Sequence, residues 1–191
     1  MSAWRHSLHP IAGGLLLSCV SLLFAQPLAS ESELGLSQAI SPTQPLANLT
    51  DGYYQLCTEP PPDDWRDGDG VCLNVWKQGH WLDGYYGYPH SSRFVCLRGR
   101  ISEAQLQGEG MVMSWAGHLW TDIPQTAFTW DDEARLTLDE WRVFHEEGVG
   151  EEQMRWIVFQ TARLDLQNLY SYPSARMTPA AQLCDWRLDE N

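Results

Sequence analysis

Apolar and polar residues alternate in short segments along this chain, and that period of two confines it to β structure. In Val71–Lys77, Val71, Leu73 and Val75 fall on one side, and Cys72, Asn74 and Trp76 on the other. Successive side chains of a strand point to opposite faces, so this pattern lays one apolar face on a core. Arg93–Ile101 sets Phe94 and Cys96 against Val95 and Leu97, and Leu106–Trp115 puts Met111, Met113 and Trp115 together. Gly52–Cys57, His80–Tyr88, Thr126–Trp130, Leu136–His145 and Met154–Thr161 bring the expected strands to about eight. Gln78-Gly79 is a tight-turn signal, and the chain turns again between Pro89 and Ser92. The expected fold is all-β, an antiparallel meander forming a small closed barrel or sandwich. Leu164–Tyr170 is ambiguous between strand and helix. Thr178-Pro179 reads as an N-cap with proline at the first helical position, predicting a short C-terminal helix that carries Cys184. Asp51-Gly-Tyr-Tyr recurs at Asp83-Gly-Tyr-Tyr, which is too little for a repeat architecture and reads as two strands that start alike.

The N-terminus has a different character. Arg5 is the only charge before Glu31, an apolar run spans Ile11–Phe24, and Ala25 and Ala29 follow as small-residue exits. That layout predicts a secretory signal over residues 1–29, cleaved after Ala25 or Ala29. A spanning helix needs roughly 20 apolar residues, and this run is shorter. Cys19, preceded by Leu16-Leu17-Ser18, loosely resembles a lipidation box. Lipid anchoring is the less favoured reading, because Leu17 is large for its position and the apolar run continues past Cys19. Residues 30–50 read as a flexible leader, and 51–191 as a single β-rich domain.

Four cysteines follow the signal: Cys57, Cys72, Cys96 and Cys184. An even number in an exported chain reads as two disulfides. Cys57 ends one expected strand and Cys72 begins the next, so a hairpin would set them opposite one another. That leaves Cys96 with Cys184. No two of the four have the short spacing of a zinc pair. The expected location is periplasmic or extracellular, with no transmembrane segment once the signal is removed, and a monomer is expected.

Charge narrows the partners. The chain has 12 basic and 25 acidic residues, and setting aside Arg5 leaves a net charge of −14. Such a field repels phosphate backbones and anionic membranes, which argues against nucleic-acid binding. Lys77 is the only lysine, so lysine-based catalysis and a Walker-type loop have little to draw on. Tryptophan and tyrosine are abundant, at 10 and 7, and suit both strand packing and ligand contact.

Gly79, Gly84-Tyr85-Tyr86, Pro89, Ser91-Ser92, Phe94, Cys96 and Gly99 form a glycine-aromatic, Pro-Ser turn and Phe-x-Cys pattern. In these residues the stretch from Val71 to Leu106 resembles a set of exported, largely uncharacterised cyanobacterial β-rich proteins. Leu97 stands where the pattern has an aromatic. The resemblance implies export and a β-rich fold, and assigns no activity.

Motifs for chemistry are sparse. His145-Glu146 starts like a zincin helix, but Val149 stands where the second ligand belongs. His118 and Asp122 would share a face only on a helix, and His80 reads as an ordinary histidine. Ser114 lacks the flanking glycines of a nucleophile elbow. Ser91 and Ser92 beside His90 suit a turn. Asp63, Asp64, Asp67 and Asp69 suggest a calcium loop, yet aligning Gly70 as its glycine puts Trp65 and Trp76 at ligand positions. Glu146-Glu147 and Glu151-Glu152, around Gly148 and Gly150, read as a solvated loop rather than a glycosidase pair. No catalytic residue, cofactor or metal is expected.

Three functional classes remain. The first is a non-enzymatic binding module, a barrel taking a small apolar ligand in an interior lined by aromatics around Trp76, Trp81, Tyr86 and Trp115. The second is a periplasmic or surface protein-interaction or structural factor, and the third a hydrolase of unrecognised type. The region singled out for ligand contact is Tyr86, Tyr88, His90 and Arg93, where aromatics and hydrogen-bond donors meet on a loop. Turn chemistry alone also accounts for that segment as a plain hairpin.

Overall fold

The computed structural model describes residues 45–64, 68–115, 120, 122–150, 153–173 and 177–186. The expected signal, Cys19, most of the expected leader, Trp65, Asp67, His118 and Glu151-Glu152 lie outside the described residues. Nine antiparallel strands and one short helix follow: β1 Gly52–Cys57, β2 Cys72–Gln78, β3 Trp81–Gly87, β4 Phe94–Ser102, β5 Gln105–Ser114, β6 Phe128–Thr129, β7 Leu136–Glu147, β8 Met154–Asp165, β9 Tyr170–Ser171 and α1 Ala180–Leu183. No helix among the described residues is long and apolar enough to cross a membrane.

The strands form one curled sheet, a half-barrel, in the order β6-β7-β8-β5-β4-β3-β2-β1-β9. β1 to β5 are a meander, as the short connections predict. After β5 the chain leaves this sequence, and β8, not β6, pairs with β5. β7 lies outside β8, and β6 outside β7. Backbone pairing stops at β6 and β9, and side chains of the β6–β7 turn reach across instead. Thr58 Oγ1 donates to Glu133 Oε1 at 2.6 Å, and the Tyr88 hydroxyl to Asp132 Oδ2 at 3.2 Å. The turn is shaped by the buried Asp131 carboxylate, which accepts from the backbone N–H groups of Glu133, Arg135 and Leu136.

Alternation decides the faces. Val71, Leu73, Val75, Leu82, Tyr86, Val95 and Leu97 turn inward and pack with Leu106, Val112, Leu136, Leu138, Ile157 and Phe159 in the main core. Gly99 and Gly108 face one another across β4 and β5 in the same inner layer. The inward parity changes along β8, from Ile157 and Phe159 to Ala162 and Leu164. A bulge accounts for this: Gly108 pairs with Ala162 but Gly110 with Phe159, so β8 holds an extra residue there. β7 changes parity beside it, from Leu138 to Trp141, and Glu140 takes φ 56° at the switch. Bulges bend a strand and increase its twist, which curls this half of the sheet.

The chain departs from expectation at its two ends. Residues 45–50, read as leader, include a 3-10 turn at Leu46–Asn48, and Leu46 is buried in the main core. α1 begins at Ala180 with Pro179 in the N-cap position and no side-chain cap. Thr178 does not cap the helix. Its carbonyl accepts from Asn74 Nδ2 at 2.9 Å and the Tyr85 hydroxyl at 2.8 Å. Cys184 follows the helix as its C-cap.

Candidate functional site

The outer face of β1–β5 is built by side chains of the opposite parity. Gln55, Asn74, Tyr85, Cys96 and Met111 form one row across five strands, because each pairs directly with the next. Met177, Thr178 and α1 lie over this row as a strap. Met177 N donates to Gln55 Oε1, and the Cys96–Cys184 disulfide fastens the strap, its Cα atoms 5.6 Å apart. The second disulfide joins Cys57 to Cys72, directly paired residues of β1 and β2 with Cα atoms 4.0 Å apart. Both disulfides have the pairing expected, and two disulfides belong to an oxidising compartment.

The strap divides the outer face into two grooves. One, of about 410 Å³, lies toward the β3–β4 hairpin and is lined by Tyr85, Tyr88, His90, Phe94, Met177 and Leu183 among others. The other, of about 390 Å³, is lined by Tyr53, Trp76, Asp83, Ala180, Cys184 and Trp186 among others. The second opens onto an aromatic platform. Tyr53 pairs with Trp76, and Trp81 lies diagonally from Trp76 on the same face of β3. These rings are exposed by 63%, 39% and 42%. The Tyr53 and Trp76 centroids are 4.6 Å apart with the planes tilted by 54°.

Asp83 and Asp185 are the charged residues lining this second groove, and Arg98 stands behind its Trp186 wall. Arg98 stacks its guanidinium on Trp186 at 4.2 Å and bonds Glu109 at 2.9 Å. Burial pushes the Asp83 carboxyl up from its ordinary range, while the Arg98 guanidinium and then the Trp186 indole N–H pull it back. Trp186 Nε1 is buried and makes no hydrogen bond of full geometry, although its N–H is near enough to Asp83 to favour the charged carboxylate. The folded chain therefore holds the Asp83 proton to higher pH than the unfolded chain. Stability attributable to Asp83 should fall as pH rises from about 4, the unfolded carboxylate value, through the raised folded pKa. Asp83→Asn is expected to flatten that part of the stability–pH curve, measured by urea unfolding at a series of pH values.

The four residues singled out in the sequence separate. Tyr86 is fully buried in the main core, with Trp130 at 6.0 Å. Tyr88 lies at the hairpin, where Arg93 stacks on its ring at 4.4 Å. His90, at φ 56°, lines the first groove with Tyr88. The hairpin itself is held by turn chemistry: Tyr88 N donates to Arg93 O, and Ser91 Oγ donates to Tyr88 O. Tyr88 and His90 thus share a groove, Arg93 acts through Tyr88, and Tyr86 faces the interior. Of the aromatics expected to line the binding interior, Trp76 and Trp81 fall instead on the outer face, opposite Val75 and Leu82, where Tyr53 joins them.

Tyr86 makes a separate point about the interior. Its hydroxyl is buried without a hydrogen-bond partner. Burial raises its pKa far above the ordinary tyrosine range, with the nearby Asp131 and Glu133 charges adding to the effect. A buried unpaired hydroxyl costs about 1–3 kcal/mol of desolvation. Tyr86→Phe is therefore expected to stabilise the fold by about 1 kcal/mol. A raised denaturation midpoint would show this, and a clear loss of stability would contradict it.

Other sequence candidates have structural settings of their own. The His145 ring packs on Trp156 at 5.1 Å, and its neighbour Glu146 pairs with Arg155. Ser114 is buried and accepts from Trp120 N. Lys77, on the inner face, is buried and pairs with Asp51 at 3.6 Å. Among the described residues no group of three or more His, Cys, Asp or Glu side chains is placed to hold a metal. Comparisons with protein-family models, curated proteins and solved structures gave no match.

Proposed function

We propose that the protein is an exported, non-enzymatic binding module that takes its ligand on the aromatic platform of the outer face. The observation that carries this is the exposure of Tyr53, Trp76 and Trp81 together on three adjacent strands beside a groove. Large rings held in water by a rigid sheet are contact groups with little ordering left to lose on binding. The inner face points the same way, because its Leu73, Leu82, Tyr86 and Phe159 are fully occupied in packing. A ligand inside the barrel would compete with that core, so the site moves from the interior to the outside.

Export rests on the Arg5–Ala29 layout, on the paired cysteines and on the resemblance to exported cyanobacterial proteins. Periplasm and cell exterior both suit this reading, as does a monomer. The test is a ligand panel of fatty acids, peptides and oligosaccharides, read by tryptophan fluorescence and thermal shift. Any response should be lost in Trp76→Ala and Trp81→Ala and kept in Trp130→Phe, which alters the inner layer. A response abolished only by Trp130→Phe would return the site to the interior.

A further inference from the structure

We infer that the ligand of this platform is an uncharged saccharide chain, an inference that rests on the binding reading above. The first support is the chemistry of the exposed apolar surface. On this face the exposed large side chains are Tyr53, Trp76 and Trp81, all ring-bearing. The exposed aliphatic ones among the described residues, Val143 and Val149, belong to β7 and the turn after it. A pyranose presents a face of C–H bonds, apolar and slightly positive, and the negative face of an aromatic ring attracts it. Three rings on three strands offer successive contacts to an extended chain of such sugars.

The second support is charge. The whole chain carries a net charge of −13, yet around the platform the two signs are interspersed: Asp83 and Asp185 line the groove, and Arg98 and Arg100 of β4 lie beside Asp83 and Trp81. Arg98 pairs with Glu109 while stacking on Trp186. Burial and Arg98 both act on Asp83, and Arg100 lies across from Trp81. The surface therefore offers no block of one sign to steer a cationic peptide or an anionic polymer. A neutral ligand is its complement.

The third support is the supply of directional polar groups at the ring edges. Asp83 and Asp185 present carboxyls to the groove, which the Trp186 ring also lines. Sugar hydroxyls donate to carboxyl oxygens, so these two side chains can orient a saccharide at the ring edges.

The experiment uses the mature chain with both disulfides intact. Neutral hexasaccharides of glucose, mannose and N-acetylglucosamine are titrated calorimetrically, alongside an alginate oligomer and an arginine-rich peptide. Binding of at least one neutral hexasaccharide is expected, and it should change little up to about 0.5 M salt. Trp76→Ala and Trp81→Ala should each weaken it about tenfold or more, as central aromatic contacts do, with the unfolding midpoint kept. Binding confined to the alginate or the peptide, with steep salt dependence, overturns the inference. So does saccharide binding that both tryptophan variants leave unchanged. If no saccharide binds but a peptide or fatty acid does, and Trp76→Ala abolishes it, the saccharide inference fails and the binding module stands. If nothing in either panel responds to the platform variants, both readings fail.

Discussion

Changing Cys96 and Cys184 together to alanine should remove about 4–5 kcal/mol of stability, the largest loss expected from any pair of substitutions here. The disulfide closes a loop with a sequence separation of 88, against 15 for Cys57–Cys72. Loop-closure entropy grows with the logarithm of length, so the shorter bridge should contribute about 3 kcal/mol. Domains commonly have only 5–15 kcal/mol in total, so losing either bridge should move the guanidinium midpoint visibly. The order is the test: the Cys96/Cys184 variant should be the weaker of the two. Equal or reversed midpoints would mean that the chain-entropy account is wrong for this fold. There is a functional corollary. Without its disulfide the strap is held by the hydrogen bonds of Met177 and Thr178, so both grooves should lose definition before the sheet itself unfolds.

Gly108→Ala should be the most damaging single substitution in the sheet, at about 3 kcal/mol or more. A Cβ at Gly108 would collide with the Arg98 carbonyl oxygen and with Gly99 Cα at 2.5 Å. Gly99 has the reciprocal problem, meeting the Gln107 carbonyl oxygen and Gly108 Cα at 2.7 Å. These obstacles are backbone of the neighbouring strand, so no rotamer change relieves them. The strands must separate, and the β4–β5 ladder with them. A fall in Tm of roughly 10 °C is expected for Gly108→Ala. Gly79→Ala is the contrasting control. Its Cβ would meet nothing within 4 Å, and only its φ of 58° resists the change. If the two variants melt alike, the close approach of β4 and β5 is not what requires glycine.

The faces were legible because alternation needs no tertiary information. Val71, Leu73 and Val75 could be assigned together before any partner strand was known, and the Cys57–Cys72 pairing followed from hairpin logic. The insertion of β8 between β5 and β7 was not legible. It depends on a long connection after Ser114 whose residues carry no directional signal. The parity change at Glu140 was hidden for a related reason. Glycine or asparagine usually marks a positive φ, and here a glutamate occupies it. Tyr86 illustrates the limit for sites. In the sequence it belongs with Tyr85 and Tyr88 as one aromatic run, but in the sheet it points away from Tyr85. The neighbours that distinguish them, Trp130 for one and Thr178 for the other, are far along the chain.

The ends of the sheet bear on how the folded chain stays apart from its own copies. An open sheet offers unpaired backbone at its edges to any other copy. Here the outermost strands, β6 and β9, have two residues each. Strands so short are poor templates for a further strand. Beyond β6, the outer margin of β7 carries Asp139, Glu140, Glu146 and Glu147. A second molecule approaching that margin meets like charge before it meets a ladder, so the acidity of the chain doubles as protection against aggregation.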